Sequence, residues 1–247
     1  MPKITTAEYC SKIYDTFFNA GEVTEIRAYG LSRQNKAWEG WAGGGGIVYG
    51  YFDNADAFGK CAAALEAVKA PGIYFVLNPV KPDLLARAAN RLKAADQKTV
   101  TTSDKDVLLL RWLYIDLDPV RPTGISSSKE ELEASIKLRD EINAWAKEAE
   151  SAKHIVPAIS GNGAHLLIQI RDLPNREESI NSIKDTLKYL HSKFSNDQVE
   201  VDIKVYNPAR ICKLYGTTAR KGDHIPTRPH RRSYIDPVYF EAQKQET

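Results

Sequence analysis

The stretch Arg111-Trp112-Leu113-Tyr114-Ile115-Asp116-Leu117-Asp118-Pro119 decides how this chain of 247 residues is read. After Arg111 it is apolar or aromatic until Asp116, as expected of a buried strand in a mixed sheet. A strand sends alternate side chains to one face, so Asp116 and Asp118 point the same way. Two carboxylates at the end of an apolar strand repel each other and resist burial as anions. A divalent cation between them removes that cost, and hard oxygen ligands suit Mg2+ or Mn2+. Taken alone, Asp-x-Asp also suits a strand that ends in a turn at Asp118-Pro119.

Three later stretches bear on that choice. Val199-Glu200-Val201-Asp202-Ile203-Lys204-Val205 alternates as a strand with Glu200, Asp202 and Lys204 on one face. A mid-strand carboxylate is costly unless paired or metal-bound, which makes Asp202 a candidate third ligand beside Asp116 and Asp118. An exposed face of an edge strand explains the same pattern. In Ser160-Gly161-Asn162-Gly163-Ala164-His165 a tight turn joins two apolar strands, and its N–H groups, with Ser160 and His165, suit a phosphate. A lone strand histidine also serves as a satisfied polar residue. In Asn207-Pro208-Ala209-Arg210-Ile211-Cys212-Lys213-Leu214-Tyr215-Gly216, Asn caps, Pro takes the first helical position and Gly stops a short predicted helix. Arg210 and Lys213 then share one helix face as a triphosphate clamp. Arg220, Lys221, Arg228, His230 and Arg231 follow in a loop-rich region, as candidate contacts to nucleic acid or an initiating nucleotide.

The N-terminal half alternates helix and strand. Helices are expected over 7–18, 55–69 and 82–94, and strands over 23–29, 47–52 and 73–77. The four glycines at 43–46 suit a hairpin loop better than a phosphate cradle, because no Gly-Lys-Ser/Thr follows. Helices over about 128–150 and 177–194 and strands over 155–160 and 164–170 complete an α+β or α/β pattern of one domain or two lobes. Net charge is +2, but eight Lys/Arg against one Asp between Ile203 and Ile235 leave the rest acidic. That suits an anionic ligand that arrives with metal, although a basic surface also simply aids solubility. Cys10, Cys61 and Cys212 show neither zinc spacing nor a disulfide framework, which fits a reducing, cytoplasmic setting. Neither a signal peptide nor a membrane-length apolar run is visible.

Each piece is modest by itself, but the order is specific: an Asp-x-Asp strand, a Ser-Gly-x-Gly-x-His turn, a strand Asp, then Asn-Pro-x-Arg-x-x-Lys. In that order, from Tyr114–Pro119 to Asn207–Lys213, the chain resembles the archaeo-eukaryotic primase superfamily. It is most similar to the compact primase-polymerases of plasmids, phages and bacterial defence or CRISPR-associated loci. Gly72–Pro79 and Arg228–Arg231 also look like stretches of that group, and the resemblance covers roughly residues 21–236. It implies an N-terminal α/β lobe (about 21–110) and a C-terminal lobe similar to an RNA-recognition motif (about 111–236). It further implies a metal triad of Asp116, Asp118 and Asp202 holding two Mg2+ or Mn2+ ions, without zinc. Ser160, Gly161, Asn162, Gly163, His165, Arg210 and Lys213 would bind the incoming NTP or dNTP. The partner would be a single-stranded DNA template, with a helicase or further domains of a longer parent chain. Two other classes stay open on the residues alone: a metal-dependent nuclease or phosphohydrolase using the same carboxylates, and a non-catalytic single-strand-binding module.

Overall fold

The computed structural model describes residues 4–31, 37–39, 46–148 and 154–243. In chain order, α1 (Thr6–Phe17) leads to β1 (Thr24–Tyr29) and β2 (Val48–Phe52), followed by α2 (Ala55–Ala67), β3 (Gly72–Val76) and the short β4 (Lys93–Ala94). Next come β5 (Leu109–Pro119), α3 (Lys129–Glu148), β6 (Ile155–Ile159), β7 (Ala164–Pro174), α4 (Glu177–Phe194) and β8 (Val199–Val201). The short strands β9 (Ile211–Lys213), β10 (Thr218–Ala219), β11 (Arg231–Arg232) and β12 (Tyr234–Ile235) precede α5 (Pro237–Gln243). The fold is α+β and divides into two compact units, residues 1–109 with 208–220, and residues 110–207 with 221–247.

The first unit is built on a sheet of order β4-β2-β1-β3-β9, antiparallel at every ladder. Thr5 and Glu8 form a capping box at the start of α1, and Asn54 caps α2 through the Ala57 N–H. Both caps satisfy backbone donors that a helix start leaves unpaired. The two helices and one sheet face share an aromatic core, in which Phe75 lies 5.4 Å from Phe17 and 6.3 Å from Phe58 between ring centroids. The opposite face of β1 carries Glu25 and Arg27, joined by two bonds of 2.8 Å.

The second unit runs β5-α3-β6-β7-α4-β8, and its sheet has the order β12-β6-β7-β5-β8. A βαββαβ chain whose first and third strands sit side by side is the split βαβ arrangement, which an RNA-recognition motif also uses. The ladders β6·β7, β5·β8 and β12·β6 are antiparallel, so where a mixed sheet was expected the pairing in these ladders is of one kind. Strand β5 is buried on both faces up to Ile115. From Asp116 onward Leu117 and Pro119 stay buried while Asp116 is partly open and Asp118 exposed, so one face opens at the Asp-x-Asp.

Three expected elements differ. Residues 82–94 do not form one helix: a 3-10 turn covers Pro82–Arg87, and Lys93–Ala94 pairs with β2. The strand expected over 199–205 stops at Val201. Residues 207–216 hold no helix. Their centre is β9, which pairs with β3 through Tyr74↔Lys213, Phe75↔Cys212 and Val76↔Ile211. The Asn-Pro start signals a helix locally, but an available sheet edge decides the outcome. The glycine-rich hairpin expected at 43–46 falls almost wholly outside the described residues.

Candidate active site

The second unit brings the three aspartates onto one patch of sheet. Strand β8 pairs with β5 in the register Leu117↔Val201 and Asp118↔Glu200. The same register continues one step further, where the Asp202 N–H donates to the Asp116 carbonyl at 2.9 Å. Asp116 and Asp202 therefore face each other directly, and directly opposed residues on an antiparallel pair carry Cβ atoms about 4.5–5.5 Å apart on the same face. Asp118 and Glu200 form the next opposed pair on that face, so four carboxylates occupy two neighbouring cross-strand positions. Glu200 belongs to the patch although only the three aspartates were singled out in the sequence.

The carboxylates differ in surroundings. Asp116 is 23% exposed, and its Oδ1 lies 3.4 Å from His165 Nε2. Asp118 is 58% exposed and Oδ1 accepts from Arg121 at 3.3 Å. The Asp118 carboxyl is pushed above its ordinary value by desolvation and by repulsion from Asp116, against the pull of Arg121 and Lys221. With more than half of the side chain in solvent, the repulsion is the cause to weigh most, because burial of an exposed group is partial. Asp202 Oδ1 accepts the Lys204 N–H at 2.7 Å, so its carboxylate closes the turn that ends β8.

Carboxylate oxygens are the donor set of a hard divalent cation rather than of zinc. The donor chemistry and the facing backbone positions fit such an ion. As placed, though, the side chains do not enclose one: among the described residues no three His, Cys, Asp or Glu groups stand together as a metal cage.

The turn expected to hold phosphate joins β6 to β7 through Ile159↔Ala164. Gly161 adopts φ +103°, a backbone region that favours glycine. A Cβ on Gly163 would run into the Leu117 carbonyl oxygen, so the turn lies directly against the acidic strand. Ser160 Oγ both donates to the Gly163 carbonyl at 3.1 Å and accepts its N–H at 3.0 Å, and Asn162 Oδ1 accepts the Ser127 N–H. His165, only 2% exposed, meets the Tyr114 hydroxyl at 3.0 Å through the Nε2 that also faces Asp116. Tyr114 is thus a residue of the site that the sequence offered only as an apolar strand position.

Several expected contact residues are held inside their own units. Arg228 forks onto Glu131 with two bonds of 2.8 Å, which lowers the Glu131 carboxyl below its ordinary value. Arg231 donates to the Ser127 carbonyl at 2.7 Å, and His230 Nε2 lies 2.8 Å from the Gly222 carbonyl. Lys221 is exposed and acts on Asp118. Arg210, Lys213 and Arg220 belong to the first unit. There Arg220 forks onto Glu66, while Lys213 Nζ donates to the Thr218 carbonyl and lies 5.6 Å from the Tyr74 ring centroid. Burial pushes the Lys213 amine down to about 7.

No protein-family model matches the chain, and no curated protein matches it. Solved structures with some likeness include the primase RepB′, at 11% identity and a TM-score of 0.45; the match covers 98% of this chain and 63% of that one. The polymerase domain of Mycobacterium tuberculosis ligase D in complex with DNA gives 13% identity and 0.46, over 92% of this chain and 79% of that one. The catalytic domain of RepB′ in complex with initiator DNA gives 11% and 0.40, over 96% and 95%. At such scores the likeness assigns neither activity nor site residues to this chain.

Proposed function

We propose that this chain is a template-dependent DNA primase-polymerase, a nucleotidyltransferase that makes or extends primers on single-stranded DNA from NTPs or dNTPs. One observation carries the reading: Asp202, just past the end of β8, opposes Asp116 on β5 although the two are remote in sequence, with Asp118 beside them and His165 against Asp116. Clustered carboxylates repel a bare phosphate backbone, so a patch of this kind favours a metal-assisted reaction over simple strand binding. Asp116, Asp118 and Asp202 would hold Mg2+ or Mn2+, which activates a 3′-hydroxyl and stabilises a leaving pyrophosphate when bound.

The chain's own residues do the positioning. His165 Nε2 would donate to a phosphate oxygen of the incoming nucleotide, and the N–H groups of the 160–163 turn would add further donors. The fixed backbone of that turn, pressed on β5, keeps donors and carboxylates in one frame, and phosphoryl transfer depends chiefly on such positioning. The share of Arg210 and Lys213 in holding a triphosphate, and of Lys221 and its neighbours in holding template, rests on the sequence motif. So does the reading of both units as one catalytic module, with a helicase or further domains as partners.

The test is synthesis by the purified chain on single-stranded DNA with Mn2+ and NTPs or dNTPs. Products longer than one nucleotide are expected, with Asp116→Asn and Asp202→Asn each reducing them at least a hundredfold. Equal synthesis by Asp116→Asn, or none by the parent chain, overturns the proposal. Shortening of the DNA without added nucleotide points to the nuclease instead.

A further inference from the structure

Strand β8 is the edge of its sheet, and an edge strand leaves every second residue with its N–H and C=O turned away from the neighbouring strand. Because Asp202 donates inward to Asp116, the residues that face outward are Val199 and Val201. All four of their outward backbone groups are taken by the segment that ends α4. Asn196 accepts the Val199 N–H through Oδ1 at 2.9 Å and donates its own N–H to the Val199 carbonyl at 3.0 Å. Ser195 Oγ accepts the Val201 N–H at 2.9 Å, and His191 Nδ1 meets the Val201 carbonyl at 2.9 Å.

The last of these fixes a proton. A carbonyl oxygen can only accept, so Nδ1 of His191 carries the hydrogen. Ser195 Oγ, 3.0 Å from the same nitrogen, closes a three-membered arrangement of His191, Ser195 and Val201. The Val201 carbonyl belongs to the peptide whose N–H is that of Asp202. One peptide unit is thus held on both sides, by His191 outside and by the Asp116 carbonyl inside.

We propose that His191 and Ser195 are positioning residues for Asp202: they lock the peptide plane that holds it opposite Asp116. This rests on the reading of Asp202 as a metal ligand. The hydrogen bonds of both side chains go to each other and to the Val201 backbone rather than to a carboxylate of the patch. Groups behind a ligand set the direction from which it approaches the ion, and losing them typically weakens metal binding roughly 10- to 100-fold.

Equilibrium Mn2+ binding to the full chain, followed by the electron paramagnetic resonance of the free ion without nucleotide, tests it. His191→Ala is expected to weaken Mn2+ about tenfold or more, and Ser195→Ala to weaken it in the same direction by less. His191→Asn places an amide N–H near the position of Nδ1 and should restore affinity to within about threefold of the parent. A role in bulk stability alone would not be rescued at the metal by that one donor. If His191→Ala binds Mn2+ like the parent while Asp202→Asn does not, the positioning role is wrong and the metal site stands. If His191→Asn is as weak as His191→Ala, the Nδ1 bond is not the cause and the proposal falls. If Asp202→Asn itself keeps parental affinity, the metal assignment fails and takes the positioning role with it. Should His191→Ala not fold, Ser195→Ala decides: parental affinity there overturns the proposal.

Discussion

At Gly163 the absence of a side chain lets the start of β7 touch the backbone of β5 beside Asp118. Gly163→Ala is therefore expected to push the two strands apart and to lower stability by about 1–3 kcal/mol, the usual cost of overpacking; chemical denaturation of the variant checks this. On the proposed function, His165 would meet the nucleotide through Nε2, the nitrogen that Tyr114 and Asp116 both address. His165→Ala removes a hydrogen bond of the kind made to a charged group, worth about 1.5–3 kcal/mol. It should raise the nucleotide KM about tenfold or more in steady-state synthesis, and an unchanged KM would remove His165 from the nucleotide site. That Asp116, Asp118, Asp202 and His165 come together was legible because Asp-x-Asp, Ser-Gly-x-Gly-x-His and Asp202 stand out by residue type and spacing. Glu200 and Tyr114 escaped because their roles depend on what stands opposite them, and strand register is set by pairing that no local pattern displays.

Among the elements, those with strong periodicity and clear ends were legible. α4 starts at Glu177 and ends at Phe194, and α2 begins after an Asn54 cap, as their sequences indicate. Segments that failed were decided by partners far along the chain. Residues 82–94 are rich in helix formers, yet Lys93 and Ala94 are drawn to Tyr49 and Val48. The Asn-Pro stretch after β8 yields a strand because the open edge of β3 accepts it. Alternation in β1 did place Glu25 and Arg27 on one face, and the structure shows why it matters. Glu25 is wholly buried and accepts both Arg27 and the Thr102 N–H, at 2.8 Å each. Removing one partner of a buried pair strands the other charge, at a cost of about 3–5 kcal/mol. Arg27→Met should lose stability on that scale, and adding Glu25→Met should recover much of it; thermal unfolding of the single and double variants makes the comparison.

For the molecule as a whole, Lys213 gives the pH dependence a sign. Its amine falls from 10.5 to about 7 on folding, so between those values the unfolded chain binds a proton that the folded one does not. Stability then rises with pH across that window. The penalty is complete below about 7 and absent above 10.5. Lys213→Met should flatten the rise and leave the variant more stable than the parent at pH 6, as seen by urea titration at several pH values. Lys213 reaches its sheet on the segment 208–220, which returns to the first unit after the chain has built most of the second. The backbone therefore passes between units at three places, and β9 is paired to β3 by strand hydrogen bonds. A protease that nicks any single connection should yield fragments that separate on a denaturing gel yet travel together through a sizing column. Neither unit can be released by one scission, and an expression fragment ended at residue 109 would lack the outermost rung of its own sheet.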